Sequence, residues 1–264
     1  MNRPTEDKQD FPYWLVIVVV TGLWLFYEVL SDEVYALALQ TLAKGIWITV
    51  LVTVVAFAVA SLLGLLIAVA SLSRFVVLRQ AARLYIEVMR GVPILVLLLY
   101  VAFVLSPVLV WLVNKATVPL GLPEWRTRDF PLIARAVIAL MLAYSAFLAE
   151  IFRAGLQAVD QGQIEAGKAL GLSGWQRFRH IAFPQAFRMI LPPLGNDFVA
   201  MVKDSSLVSV LGVADITQLA KVTAAGNFRY FETYNVAALL YLTMTIGLSL
   251  ALRRLEEAMR RRGR

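Results

Sequence analysis

Four ionisable side chains, Glu28, Arg135, Glu150 and Asp197, stand within or at the edges of long apolar stretches of this chain, with Asn196 beside the last of them. A charge at membrane depth is costly, so each needs a counter-charge, a watery cavity or a route to the interface. The chemistry open to such groups is recognition of a polar solute in passage. Glu28 and Arg135 fall near the outer boundary of their stretches, where a long side chain can snorkel or sit at the rim. Glu150 has Arg153 three residues on, the spacing of a helical ion pair. Asn196 and Asp197 follow Pro192, Pro193, Leu194 and Gly195, a break at which loosened backbone can offer ligand-binding groups. Asn196 and Asp197, with Glu150, are therefore the expected lining of a solute path. Covalent catalysis finds no support. Zero cysteines exclude thiolate metal sites, and His180 stands alone. No segment reads GxxxxGK followed by Ser or Thr, so the chain carries no recognisable nucleotide site and no cofactor is expected on it.

These groups must be held by membrane helices. The 264 residues are 60% hydrophobic, and the mean hydropathy of +0.73 suits lipid better than water. Apolar runs predict an all-α multi-span bundle with about six transmembrane helices at 13–30, 45–70, 92–113, 132–151, 187–202 and 235–252. The fifth is interrupted by Pro192, Pro193 and Gly195, which predicts a buried position and an extension to about residue 211. Lys44, Lys115, Arg126, Arg128, Lys203, Lys221 and Arg229 fall on one side, with Arg135 near that end of its span, and the remaining cations on the other. The positive-inside rule then places both termini in the cytoplasm. The net charge of +7 is thus read as topology rather than as a nucleic-acid surface. Residues 13–30 could instead be a leader removed at Ala36-Leu37-Ala38, although the preceding residues are not basic. The tail from Arg253 onward mixes arginines with Glu256 and Glu257 and is expected to rest on anionic lipid.

The stretch 165–184, EAGKALGLSGWQRFRHIAFP, is a polar insert between two apolar segments, within a cytoplasmic loop at 153–186. Residues 163–170 are good helix formers, with Glu165 at the dipole's positive end. Gly171 reads as a stop able to take the left-handed conformation. Ser173 and Gln176 have capping-box spacing, so a second short helix is expected at 174–182, halted by Pro184. Two helices at a tight glycine turn make a knob that can transmit a rigid push. An amphipathic loop lying on lipid is the other reading of Trp175, Phe178 and Arg177.

The stretch resembles the coupling loop of ABC importer permeases, whose pattern is Glu-Ala-Ala, three residues, Gly, nine residues, Ile, one residue, Leu-Pro. Glu165, Ala166, Gly167, Gly171, Ile181, Phe183 and Pro184 hold those places, with Gly167 departing from Ala and Phe183 from Leu. Glu87, Arg90, Gly91, Val92 and Pro93 resemble the Glu-x-x-Arg-Gly-Thr-Pro segment of the polar amino acid branch of that family. There Val92 replaces the usual Thr and Leu97 the usual Gln. Glu87 and Arg90 are expected to pair locally. Residues 149–153, 191–196 and 203–208 match stretches of the same family, so the resemblance covers about 41–257.

The resemblance implies a type I importer bundle, with an N-terminal segment and extra helix at 1–40, a permease core at 41–257 and a basic tail at 258–264. It implies an inner-membrane permease subunit for polar amino acids. Its implied partners are two ABC ATPase subunits carrying ATP and Mg, a second permease copy or paralogue, and an extracytoplasmic amino-acid-binding protein. Contact with the ATPase would fall on Glu165, Ala166, Gly167, Ala169, Leu170, Gly171 and Leu172. Lys203 to Ser206 could form an external gate or docking surface, or a polar helix cap. A self-sufficient channel, an ion-coupled secondary transporter and a non-transporting assembly remain as rivals.

Overall fold

A computed structural model describes residues 13–261, so Arg3 and Lys8 of the leader and Arg262 and Arg264 of the tail lie outside the described residues. The helices are α1 (Tyr13–Ser31), α2 (Glu33–Ser71), α3 (Val76–Gly91), α4 (Ile94–Tyr100), α5 (Ser106–Thr117), α6 (Leu132–Gln157), α7 (Gln161–Ala169), α8 (Gly174–Arg177), α9 (Phe183–Asp204), α10 (Ile216–Asn227) and α11 (Tyr230–Arg261). Five of the six expected runs fall on single helices, and the run at 92–113 spans α4, a π turn and α5. Among the described residues, four segments are long and apolar enough to cross a membrane: Glu33–Ser71, Ile94–Leu120, Leu132–Gln157 and Tyr230–Met259. α1 offers the shorter apolar stretch Val19–Val29, and α9 carries Arg188, Asp197 and Lys203 along its length.

The helix α2 starts well before its expected apolar run. Asp32 caps it, its carboxylate accepting from the amides of Val34 at 2.7 Å and Tyr35 at 3.3 Å. The small-x-small site at Ala36 and Ala38 therefore lies in the first turns of a helix, with Ala38 buried. α2 and α6 form the central seam. Ala56, Ala60, Gly64 and Ala68 recur every four residues on one face of α2, all buried, and meet Ala139, Ala143, Leu148 and Ala149 among the buried residues of α6. Small residues let helix backbones approach closely, which is how helices associate in lipid without a hydrophobic drive. At Gly64 a β-carbon would stand 2.9 Å from the Ser145 carbonyl oxygen. At Gly45 it would stand 2.5 Å from the Ile216 amide nitrogen, so α10 seats directly on the α2 backbone.

Prolines depart from expectation. The helix from Gly174 does not end at Pro184; it passes through a π turn (Phe178–Ala182) into α9, with Pro184 in the first turn. A second π turn (Val101–Leu105) leads into α5, again with proline, Pro107, in the first turn. A proline lacks an N–H and its ring crowds the carbonyl four residues back, and a wider turn relieves both. The helix therefore runs on through α5 and a 3₁₀ turn at Val118–Leu120, past the expected end of the span at 113. The π turn also explains Arg135. Rather than reaching a rim, Arg135 is buried, donating to the carbonyls of Ala102 and Phe130 at 3.1 Å each and to that of Thr127.

Candidate functional site

The insert folds as a knob closed by local hydrogen bonds. Asp160 caps α7, its carboxylate accepting from the Gly162 amide at 2.7 Å. The helix stops at Gly171, at φ 77°, where the Leu172 amide donates to the Gly167 carbonyl and the Gly171 amide to that of Lys168, each at 3.0 Å. This double closure is a Schellman motif, which needs a left-handed residue and so favours glycine. Ser173 then opens α8. Its amide donates to Gln176 Oε1 at 2.8 Å, and the Gln176 amide donates to Ser173 Oγ at 3.3 Å. Two longer ties join the halves: Arg177 donates to the Leu172 carbonyl at 2.8 Å, and Gln185 Nε2 to Gln163 Oε1 at 2.6 Å.

Inside the knob, Gly167 is buried against Ile181, whose δ-carbon would lie 2.7 Å from an added β-carbon. That contact accounts for glycine where the family pattern has alanine, and it joins the pattern's third and Ile positions physically. Glu165, Ala166, Ala169, Gly171 and Leu170 face outward, Leu170 at 81% exposure, while Leu172 is half-buried. A leucine so exposed at the tip of a hydrogen-bonded turn is suited to a groove on a partner. The spacing Gly162 to Lys168 imitates a phosphate loop, with Ala169 in place of Ser or Thr. It is helical from Gly162 onward, so most of its amides are committed to the helix.

The expected path residues are not brought into one cluster. Glu150 forms a two-point pair with Arg153, at 2.5 and 3.2 Å. Asn196 is exposed and Asp197 half-buried on α9, whose helix continues unbroken through Pro192 and Pro193. Glu87 and Arg90 form no ion pair among the described residues; Arg90 lies over the Phe147 ring at 5.7 Å instead. At the other end of α9, Tyr144 donates to Asp204 Oδ2 at 2.7 Å, tying α6 to α9. Lys203 and Ser206 line a cavity of about 350 Å³ with Thr217, Tyr234 and Tyr241.

A polar cluster escaped the sequence reading. Asp215 caps α10, accepting from the Gln218 amide at 2.8 Å and from Tyr241 at 3.0 Å, and the Tyr241 and Thr217 hydroxyls lie 2.9 Å apart. Burial pushes the Asp215 carboxyl above the usual carboxylate range. The available signal was Asp215 three residues before Gln218 at the head of a short Ala-rich stretch, a helix start in a region read as loop.

Residues 60–262 match the family described as "Binding-protein-dependent transport system inner membrane component". The chain is 35% identical to the Glutamine transport system permease protein GlnP of Escherichia coli (strain K12), over 84% of this chain and 94% of that protein. It is 37% identical to the Probable amino-acid permease protein YxeN of Bacillus subtilis (strain 168), over 84% of this chain and 92% of that one. A solved structure described as "Crystal structure of an amino acid ABC transporter with histidines" superposes with a TM-score of 0.69 at 36% identity, covering 83% of this chain and 94% of that chain.

Proposed function

The chain belongs to the family of binding-protein-dependent transport system inner membrane components, and from that membership and the knob we propose that it is the translocating subunit of an ATP-driven importer of polar amino acids. The relatives named for glutamine and amino-acid transport support the cargo class. Two copies, or this chain and a paralogue, enclose the path; two ABC ATPases dock on the knobs, and an extracytoplasmic binding protein delivers the amino acid. Hydrolysis belongs to the ATPases. Both termini lie in the cytoplasm, on the side of the knob, consistent with the cation distribution.

The observation that carries the coupling role is the knob: Glu165 on α7 and Leu170 at its C-terminal end are presented outward, beside a turn to α8 fixed by paired hydrogen bonds. A rigid knob converts movement of a docked partner into movement of the helix behind it, and here α8 runs without a stop into α9. Nucleotide-driven closure of the ATPases thereby biases the bundle between two arrangements. Asn196 and Asp197 on α9 lie on the element that the knob drives, and with Glu150 they are the proposed contacts to cargo. To test this, the chain is co-purified in lipid with candidate ATPases and binding proteins, and ATP hydrolysis is measured with each amino acid. Stimulation by one or more polar amino acids, abolished in Glu165→Lys with complex assembly weakened, is the expected result. Hydrolysis indifferent to every amino acid would remove the cargo assignment, and failure to associate with any ATPase would favour a self-sufficient channel or carrier.

A further inference from the structure

On the knob side of the molecule, where α2 and α6 end, a cavity of about 430 Å³ is bordered by Arg83, Glu87 and Arg90 of α3 and by Glu150 and Arg153 of α6. Its volume sits toward the lower end of the range for small-molecule pockets, about 300–1,000 Å³. The two helices that form it are fixed to each other: the Tyr85 hydroxyl lies 2.8 Å from Ser145 Oγ and donates to the Leu142 carbonyl at 3.1 Å. Glu150 and Arg153 neutralise one another. The α3 side is different. Arg83 and Glu87 are one turn apart, and Glu87 and Arg90 are three residues apart, spacings at which opposite charges ordinarily pair. Neither pair forms among the described residues, and Arg90 is turned onto the Phe147 ring.

We infer that this cavity binds the zwitterionic head of a free amino acid, its α-carboxylate on Arg83 and its α-ammonium on Glu87. A guanidinium takes a carboxylate through two parallel hydrogen bonds, and a carboxylate takes an ammonium equally well. A purely anionic ligand would meet Glu87 and Glu150 as like charges, and a purely cationic one would meet three arginines. A ligand with both signs a few bonds apart satisfies both unpaired groups of α3 and leaves the Glu150–Arg153 pair intact. The inference rests on the amino acid cargo proposed above and adds a second binding position at the cytoplasmic end of the bundle, bordered by Glu150 but lined by neither Asn196 nor Asp197.

The test is equilibrium binding of radiolabelled L-glutamine, L-arginine and L-histidine to the permease–ATPase complex in phosphatidylcholine nanodiscs, without binding protein or nucleotide. Saturable binding of at least one is expected. Glu87→Gln and Arg83→Gln should each weaken it by about tenfold or more, Trp111→Ala at an exposed position on α5 should leave it in place, and N-acetylated or amidated forms of the amino acid should not compete. Unchanged affinity in both α3 variants overturns the inference, as does the absence of saturable binding. So does saturable uptake of phosphatidylglycerol that depends on Arg83 but not on Glu87, which would make the cavity a lipid headgroup site. Stimulation of ATP hydrolysis by the amino-acid-loaded binding protein, measured on the same wild-type preparation, separates the two readings. Stimulation with α3 variants that bind normally removes this cavity alone, whereas no stimulation by any amino acid removes the cargo reading itself.

Discussion

The α2–α6 seam and the knob are both built around glycines, and the glycines do opposite work. In the seam, Gly64 lets two backbones touch, with the Ser145 carbonyl where a β-carbon would be. Gly45 does the same for α10. In the knob, Gly171 has open space around it and is needed for its left-handed φ of 77°. The seam is held by contact among alanines, glycines and leucines, and the knob by caps and paired amides. One is a frame that must not yield, the other a small rigid part that a partner can grip. Damage to the first should unfold the bundle, and damage to the second should leave the bundle intact and uncouple it.

The largest effect is expected at Gly45. Gly45→Ala places a β-carbon against the backbone of Asp215 and Ile216, atoms that cannot swing away. Overpacking of this kind costs about 1–3 kcal/mol, so the detergent-solubilised protein should melt earlier and yield less monodisperse material. Gly171→Val is next, forcing a branched residue into the left-handed region at about 1–2 kcal/mol. Its effect should be confined to the knob: near-normal Tm of the bundle, with reduced ATPase association. Equal losses of Tm in the two variants would erase the distinction between frame and knob. The smallest effect is at Gly167. Gly167→Ala removes a helix penalty of about 0.5–1 kcal/mol but pushes on the Ile181 δ-carbon, the far end of a flexible side chain. The single variant should be close to neutral in thermal melting, and Gly167→Ala with Ile181→Val, which removes that carbon, should be the more stable of the two.

Much of the knob was legible because its chemistry is local. Gly171 and the Ser173–Gln176 box each act on amides within a few residues, and their spacing alone predicts their bonds, whereas the Asp160 cap starts α7 two residues before the expected helix. The Glu150–Arg153 pair was legible for the same reason. What spacing could not show was how neighbours change a residue's meaning. Pro184 read as a stop, but it follows a π turn that admits the ring, as Pro107 does, and π turns leave no plain mark in composition. Arg135 read as a rim residue because the carbonyls that hold it come from Ala102, Thr127 and Phe130, one of them 33 residues away. The Glu87–Arg90 pair failed because Phe147 of another helix draws Arg90 aside. The helices α3 and α10 fall between apolar runs and were outside what a search for lipid-grade stretches detects, although α10 supplies the buried cap at Asp215 and packs on Gly45.

The central claim, that the knob is where an ATPase pushes, is open to direct measurement because the chain has no cysteine of its own. Leu170→Cys at the exposed tip and Trp111→Cys on α5, also exposed, are each co-purified with the ATPase and treated with a short thiol-to-amine cross-linker, with and without ATP. The account predicts a permease–ATPase product from Leu170→Cys, with a yield that changes on adding ATP, and none from Trp111→Cys. An ATPase that co-purifies with Leu170→Cys yet gives no cross-link from it in either nucleotide state would contradict the account.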